Sequence, residues 1–228
     1  MYLKRKNNDI PADINPGAAL QLLKEGNFRF INNLKTNHDL LQMVNETKDE
    51  QRPFAAILSC MDSRTSSELV FDQGLGDIFS IRIAGNVITQ HILGSLEYAT
   101  AVAGSKLILV LGHTGCGAIK GACDNVQMGH LTTLLQKIHP AVESETTVIG
   151  NRTGNNAAFV DKVAMLNVKN SIRQILEQSS IINELVSTGK IGLVPAMYDV
   201  TTGKVTFYDK DAVMRTSGLP GDKLEKAI

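Results

Sequence analysis

In the segment SCMDSR, Ser59 to Arg64, a thiol, a carboxylate and a guanidinium stand at alternate positions: Cys60, Asp62 and Arg64. Side chains of an extended chain repeat every second residue, so all three could face one point. A second stretch, HTGC, places His113 three residues before Cys116. Two thiolates and an imidazole make a Cys2His zinc set, a catalytic combination that leaves the fourth tetrahedral position for water. The plain alternative is three unligated core or loop residues. Free buried cysteine is common, but two of them with a histidine at strand ends are not. A metal-free Cys–His nucleophile pair is the other reading.

Asp62 has two possible uses. As a fourth ligand it closes the site, and a closed tetrahedral zinc is structural. The planar fork of Arg64 can instead hold the carboxylate at two points and draw it off the metal. A turn-forming Asp beside an incidental surface Arg is the bland reading. Zinc with two thiolates is formally neutral, so it should acidify its water less than a three-histidine site, where the pKa falls to about 7. Activity should therefore rise with pH and be lost when Asp62 takes the metal.

Strands must bring these groups together. FAAILSC and KLILVLGH read as buried strands ending at Cys60 and His113, and IFSIRIAG as another. Short helical patterns separate them, one near Glu68 to Phe71 and one with Ile92, Leu96, Ala99 and Val102 on a face. Alternating elements with near-continuously apolar strands predict an α/β fold, a mostly parallel β-sheet flanked by helices. Such sheets bind ligands at the carboxyl ends of their strands.

An N-terminal helical arm precedes the sheet. Asn15 and Pro16 suit a cap and first turn, and Leu20, Leu23, Phe28, Ile31 and Leu34 follow at helical spacing. A weaker helix in the early forties stops at Arg52-Pro53. Beyond His113 the pattern predicts a helix from the GCG segment, one ended by Pro140, and an amphipathic helix from about residue 156 to 186. Two strands around a Thr-Thr-Gly turn follow. Residues 1–228 read as one domain: the arm over 1–50, the site-bearing core over 51–150, and C-terminal helices and strands over 151–228.

Charge narrows the partners. Lys+Arg and Asp+Glu both total 23 in the 228 residues, so nothing electrostatic favours nucleic acid or an anionic membrane. No run approaches the roughly 20 apolar residues of a membrane span. Three cysteines cannot all pair within one chain, and the basic N-terminus lacks a signal's apolar stretch, so a cytoplasmic location is expected. Cys123 reads as a small buried hydrophobe. His38, His91, His130 and His139 read as solvent-facing or capping, and one of them could shuttle protons.

With both motifs in view, the chain resembles a β-class carbonic anhydrase. The matching text is Cys60-Met-Asp62-Ser-Arg64 and His113-Thr-Gly-Cys116-Gly117, with FDQGLGDIFSIRIAGN and GSLEYA between. The resemblance implies one zinc ion per chain on Cys60, His113 and Cys116, with Asp62 and Arg64 as a catalytic dyad. It implies that zinc-bound hydroxide attacks carbon dioxide to give bicarbonate, Asp62 orienting it. It also implies an apolar substrate pocket at Gln51, Phe79 and Tyr98. From pattern alone these three read as surface, strand core and a helix residue facing the sheet. Ile57 and Ser59 stand where a subgroup with a non-catalytic bicarbonate site carries Trp and Gly, so the subtype without that site is expected. A homodimer or dimer of dimers is implied too, in which a neighbour could lend pocket residues; twofold dimers are also the commonest oligomers. Hydrolysis of carbonyl sulfide or carbon disulfide is the same-chemistry alternative, and a non-catalytic zinc-stabilised binding protein the other.

Overall fold

The computed structural model of the chain describes residues 14–214, so the readings of residues 1–13 and 215–228 lie outside the described residues. The arm begins with α1 (Pro16–Ile31), where Asn15 caps the first turn by accepting the Ala18 N–H at 2.9 Å. Its buried side presents Ala19, Leu20 and Leu23. Buried Asn27 reaches out of the helix, donating to the Val70 and Gly203 carbonyls and accepting from the Val205 N–H. Helical spacing carries the pattern to Leu34, but α1 stops at Ile31: Asn33 is left-handed (φ 55), which leaves Leu34 exposed.

Gly26 fixes how closely α1 approaches the rest of the chain. A Cβ there would lie 1.7 Å from the Phe71 carbonyl oxygen. Alanine favours a helix by roughly 0.5–1 kcal/mol over glycine, whereas overpacking costs about 1–3 kcal/mol. We expect Gly26→Ala to be a net destabilisation, read as a lower midpoint in denaturant; a gain in stability would contradict this docking.

The sheet combines β1 (Ala55–Ser59), β2 (Ile78–Arg82), β3 (Leu107–His113), β4 (Gly192–Tyr198) and β5 (Val205–Phe207) in the order β2-β1-β3-β4-β5. The first four are parallel, and β5 returns antiparallel to β4 after the expected Thr-Thr-Gly turn. Every residue of β1, β3 and β4 is buried, matching their continuous apolar text. Alternate residues serve opposite faces: Ala56, Leu58, Ile108 and Val110 meet one core, Ala55, Ile57, Leu107 and Leu109 the other. Burying each large apolar side chain contributes about 1.5–3 kcal/mol, which makes the inner strands the rigid frame.

The remaining helices are α2 (Leu40–Thr47), α3 (Ser67–Val70), α4 (Gln90–Glu97), α5 (Gly117–Cys123), α6 (Gly129–Gln136), α7 (His139–Ser144), α8 (Ala157–Gln178) and α9 (Ser180–Ser187). Three differ from the sequence reading. Pro140 does not end a helix; it lies in the first turn of α7, where its missing N–H costs nothing. The long helix expected over 156–186 breaks at Ser179, whose extended backbone starts α9 and whose hydroxyl accepts the Ile182 N–H. The helix after α4 widens into a π-type turn over Tyr98–Val102. His38 is not solvent-facing either. Its ring packs beside Gly74 with Nε2 3.8 Å from buried Asp72, which Arg29 and Thr36 also bind.

A candidate metal centre at the ends of two strands

β1 and β3 lie side by side in register, Ser59 against Leu111, so the chain leaves both strands at the same edge of the sheet. Cys60 follows β1 directly and His113 is the last residue of β3. Gly115, left-handed at φ 64, then turns the chain so that Cys116 caps the start of α5. The result is a buried cluster in which the Cys60 and Cys116 sulfurs and a His113 ring nitrogen lie within 4.8 Å of one another. The sulfurs are 3.9 Å apart, far beyond a disulfide bond. Two sulfurs each 2.3 Å from a tetrahedral zinc would stand roughly 3.8 Å apart.

The imidazole is poised the same way. Its Nδ1 bonds the Thr114 carbonyl at 3.0 Å, which leaves Nε2 to face the thiols. That Nε2 is buried and, among the described residues, has no hydrogen-bond partner. An orphaned buried nitrogen is costly and calls for a ligand. A cation also resolves the thiol pair. Cys60 is pushed down to about 4, chiefly by a hydrogen bond from Cys116 and then by His113 and the Gly85 N–H. Cys116 is driven strongly upward, first by giving up that bond to Cys60 and then by burial. One thiolate thus forms readily, and the second requires positive charge beside it. The three residues fit a thiolate- and imidazole-binding metal such as zinc.

Asp62 and Arg64 close over this cluster, though not by the alternation of an extended strand. β1 ends at Ser59, and residues 62–65 form a turn in which the Thr65 N–H meets the Asp62 carbonyl at 3.0 Å. Asx-type bonding explains the turn, since Asp62 Oδ1 also accepts the Arg64 backbone N–H at 3.0 Å. The guanidinium then grips both carboxylate oxygens, Nε to Oδ1 at 2.9 Å and Nη2 to Oδ2 at 2.8 Å. This bond holds the Asp62 carboxyl well below the usual carboxylate range. Oδ2 still lies 4.0 Å from His113 Nε2, beside the cluster.

Two further contributors escaped the sequence reading. Arg82, at the end of β2, donates to the Cys60 carbonyl at 3.2 Å and the Asp62 carbonyl at 2.5 Å, bracing the loop that carries both. Its in-register partner Ser59 is the signal that could have found it, once the strand order is known. Gly85, left-handed at φ 65, donates its N–H to Cys60 Sγ at 3.4 Å. A Cβ there would meet Ile138 Cδ1 at 2.7 Å, so the glycine in RIAGN is needed twice over.

Two of the three expected pocket residues share a cleft. Phe79 and Tyr98 meet edge-on, ring centroids 6.3 Å apart, and line a cleft of about 360 Å³ with Ser80, Ile81, His91 and Ser95. Tyr98 is 52% exposed, with its ring edge against Phe79 of β2. Gln51 is exposed and is not among the residues lining this cleft. Phe79 is in register with Ala56, about 13 Å back along the strand direction from Cys60. None of Cys60, His113 and Cys116 lines this cleft.

An α/β protein with a Cys-His-Cys cluster at parallel strand ends is the class that this fold and site define. Residues 55–205 match the family model described as carbonic anhydrase. Carbonic anhydrase 2 of Mycobacterium tuberculosis is 34% identical over 202 residues, covering 86% of this chain and 94% of that protein. The carbonic anhydrase of Mycolicibacterium smegmatis is also 34% identical, covering 84% and 92%. Among solved structures, the β-carbonic anhydrase CafA of Aspergillus fumigatus superposes with a TM-score of 0.65 at 24% identity, covering 85% of this chain and 90% of that one. A Sordaria macrospora structure, described as a tetrameric β-carbonic anhydrase, gives 0.65 at 22% identity, covering 74% and 87%. The chain belongs to the carbonic anhydrase family, and its fold is that of the β-carbonic anhydrase structures.

Proposed function

We propose that this protein hydrates carbon dioxide reversibly to bicarbonate, with one zinc ion held by Cys60, His113 and Cys116. A zinc ion there would supply the Lewis acidity that makes water nucleophilic, less strongly than in a three-histidine site because two thiolates cancel its charge. The observation that carries the reading is the two-point Asp62–Arg64 bond, which keeps a carboxylate beside the cluster but engaged elsewhere. Asp62 there accepts a proton-bearing donor and orients it, and Arg64 keeps the carboxylate from becoming a ligand. Buried side chains around the cluster exclude bulk water and strengthen these interactions.

Stopped-flow hydration of carbon dioxide by the zinc-loaded protein tests the proposal; turnover no faster than buffer would reject it in favour of a non-catalytic zinc protein. Carbonyl sulfide and carbon disulfide in the same assay separate the hydrolase alternative. The pH profile is informative as well. Asp62 has a lowered pKa in the fold, so its contribution to stability is complete above about pH 4 and is lost as pH falls through the folded value. It stays ionised across neutrality. The rate should rise from mildly acidic to alkaline pH without a step from Asp62, and a flat profile would count against the account.

Gln51, Phe79 and Tyr98 are proposed to serve the substrate pocket of a neighbouring copy in a homodimer or dimer of dimers. Exposed Phe28, Ile31 and Leu34 on the arm, together with Leu40 and Leu41, support an association of copies. Ile57 and Ser59, in place of Trp and Gly, support the subtype without a second bicarbonate site. Among the described residues no helix is long and apolar enough to cross a membrane. The free thiols of Cys60, Cys116 and Cys123 suit the reducing cytoplasm.

A further inference from the structure

The buried face of α8 is apolar at Val160, Val163, Ala164, Val168, Ile172 and Ile175, with two conspicuous exceptions, Asn167 (3% exposed) and Ser171 (1%). A buried amide or hydroxyl is costly without a partner, so the helix carries them for a reason. They lie one turn apart and meet consecutive carbonyls: Asn167 Nδ2 donates to Gly85 at 2.8 Å and Ser171 Oγ to Asn86 at 3.2 Å. Both recipients are left-handed, φ 65 and φ 43, which costs Gly85 nothing and Asn86 some free energy that the bond to its carbonyl helps offset. The Gly85 N–H, in the same turn, is the one that meets Cys60 Sγ.

The same helix reaches the other half of the cluster. Asp161 Oδ1 accepts the Gly115 N–H at 3.0 Å, in the loop between His113 and Cys116. Ala164 and Val168 pack over Gly112, the residue before His113, where a Cβ would come within 2.6 Å of Val168. Residues 161 and 167 are about 9 Å apart along a helix axis. One rigid element thus touches both ligand-bearing loops.

We propose that Asn167 and Ser171 are positioning residues of the metal centre: they lock the Gly85–Asn86 turn so that its N–H is aimed at the Cys60 sulfur. This rests on the metal reading above. Hydrogen bonds to a ligating sulfur tune the metal it holds, and supporting partners of metal ligands typically carry 10–100-fold in affinity.

The test compares wild type with Asn167→Ala and Ser171→Ala. Zinc dissociation constants come from competition with a chromophoric chelator, and the sulfur-to-metal charge-transfer band from the cadmium-loaded proteins. Thermal unfolding of the metal-free proteins runs alongside. Asn167→Ala should weaken zinc by about 10–100-fold and Ser171→Ala by about tenfold. In both, the cadmium band should move to longer wavelength, because the Cys60 lone pairs lose their N–H partner. A merely structural role would lower the metal-free unfolding temperature and leave the band in place. Dissociation constants within about twofold of wild type, with an unmoved band, would overturn the proposal. Should Asn167→Ala not fold, Ser171→Ala is judged by the same two readouts. A wild type that binds no zinc contradicts the metal reading and this inference together; a wild type that binds it beside unaffected variants contradicts this inference alone.

Discussion

Cys60→Ser should leave the protein folded, unable to hold zinc at stoichiometry, and without carbon dioxide hydration above buffer. Serine keeps the shape of the side chain, and burying its hydroxyl without a good partner costs about 1–3 kcal/mol, which a fully packed sheet tolerates. The loss at the cluster is far larger. Structural zinc sites bind with roughly 10–16 kcal/mol, so a single ligand carries several, or about a thousandfold in dissociation constant. Cys60 is also the thiol pushed down to about 4, the one that offers a thiolate before any cation arrives. Its loss removes that thiolate and leaves only Cys116 and His113 of the three donors. Metal analysis of the purified variant checks this. Full zinc occupancy in Cys60→Ser would mean that the ion sits elsewhere.

Asp62→Asn should do the opposite: zinc retained, activity reduced by about a hundredfold or more, the scale on which misplacing a reacting group acts. The amide matches the carboxylate in size but cannot accept two charge-assisted bonds from Arg64, and one end now presents a donor. Arg64 is largely exposed, so this pairing adds little to folding stability, and the loss should appear in turnover rather than in the denaturation midpoint. Wild-type turnover in zinc-loaded Asp62→Asn would remove the dyad from the account.

Much of this architecture was legible because the signals were local. The continuous apolar runs at 55–59 and 107–111 admit little besides buried parallel strands, and the Cys60 and His113 positions at their ends follow from that reading. Departures came where a single polar or cyclic residue outweighs periodicity. Ser179 diverts a helical pattern by capping a new helix, and Pro140 opens a turn as readily as it closes one. The convergence of Cys60, Asp62 and Arg64 was expected for one geometric reason and occurs for another, a turn stapled by the Asp62 carboxylate and the Thr65 N–H.

Other parts of the site could not be read from one strand at a time. Arg82 acts on Cys60 and Asp62 only because β2 pairs with β1 in a particular register, and the polar pair on α8 meets the Gly85 turn across more than 80 residues of chain. His38 carries a similar lesson, being enclosed by segments that meet only in the fold. Tyr98 stands where its helix widens, half-exposed with its ring against Phe79 of β2.

The central claim is that Arg64 keeps Asp62 off a metal held by two sulfurs and one imidazole. X-ray diffraction from zinc-loaded crystals at alkaline pH, with anomalous data at the zinc edge, tests it most directly. The account predicts one zinc within bonding distance of Cys60 Sγ, Cys116 Sγ and His113 Nε2, with both Asp62 oxygens still on the guanidinium. A zinc bonded to an Asp62 oxygen under those conditions, with Arg64 swung away, would contradict it.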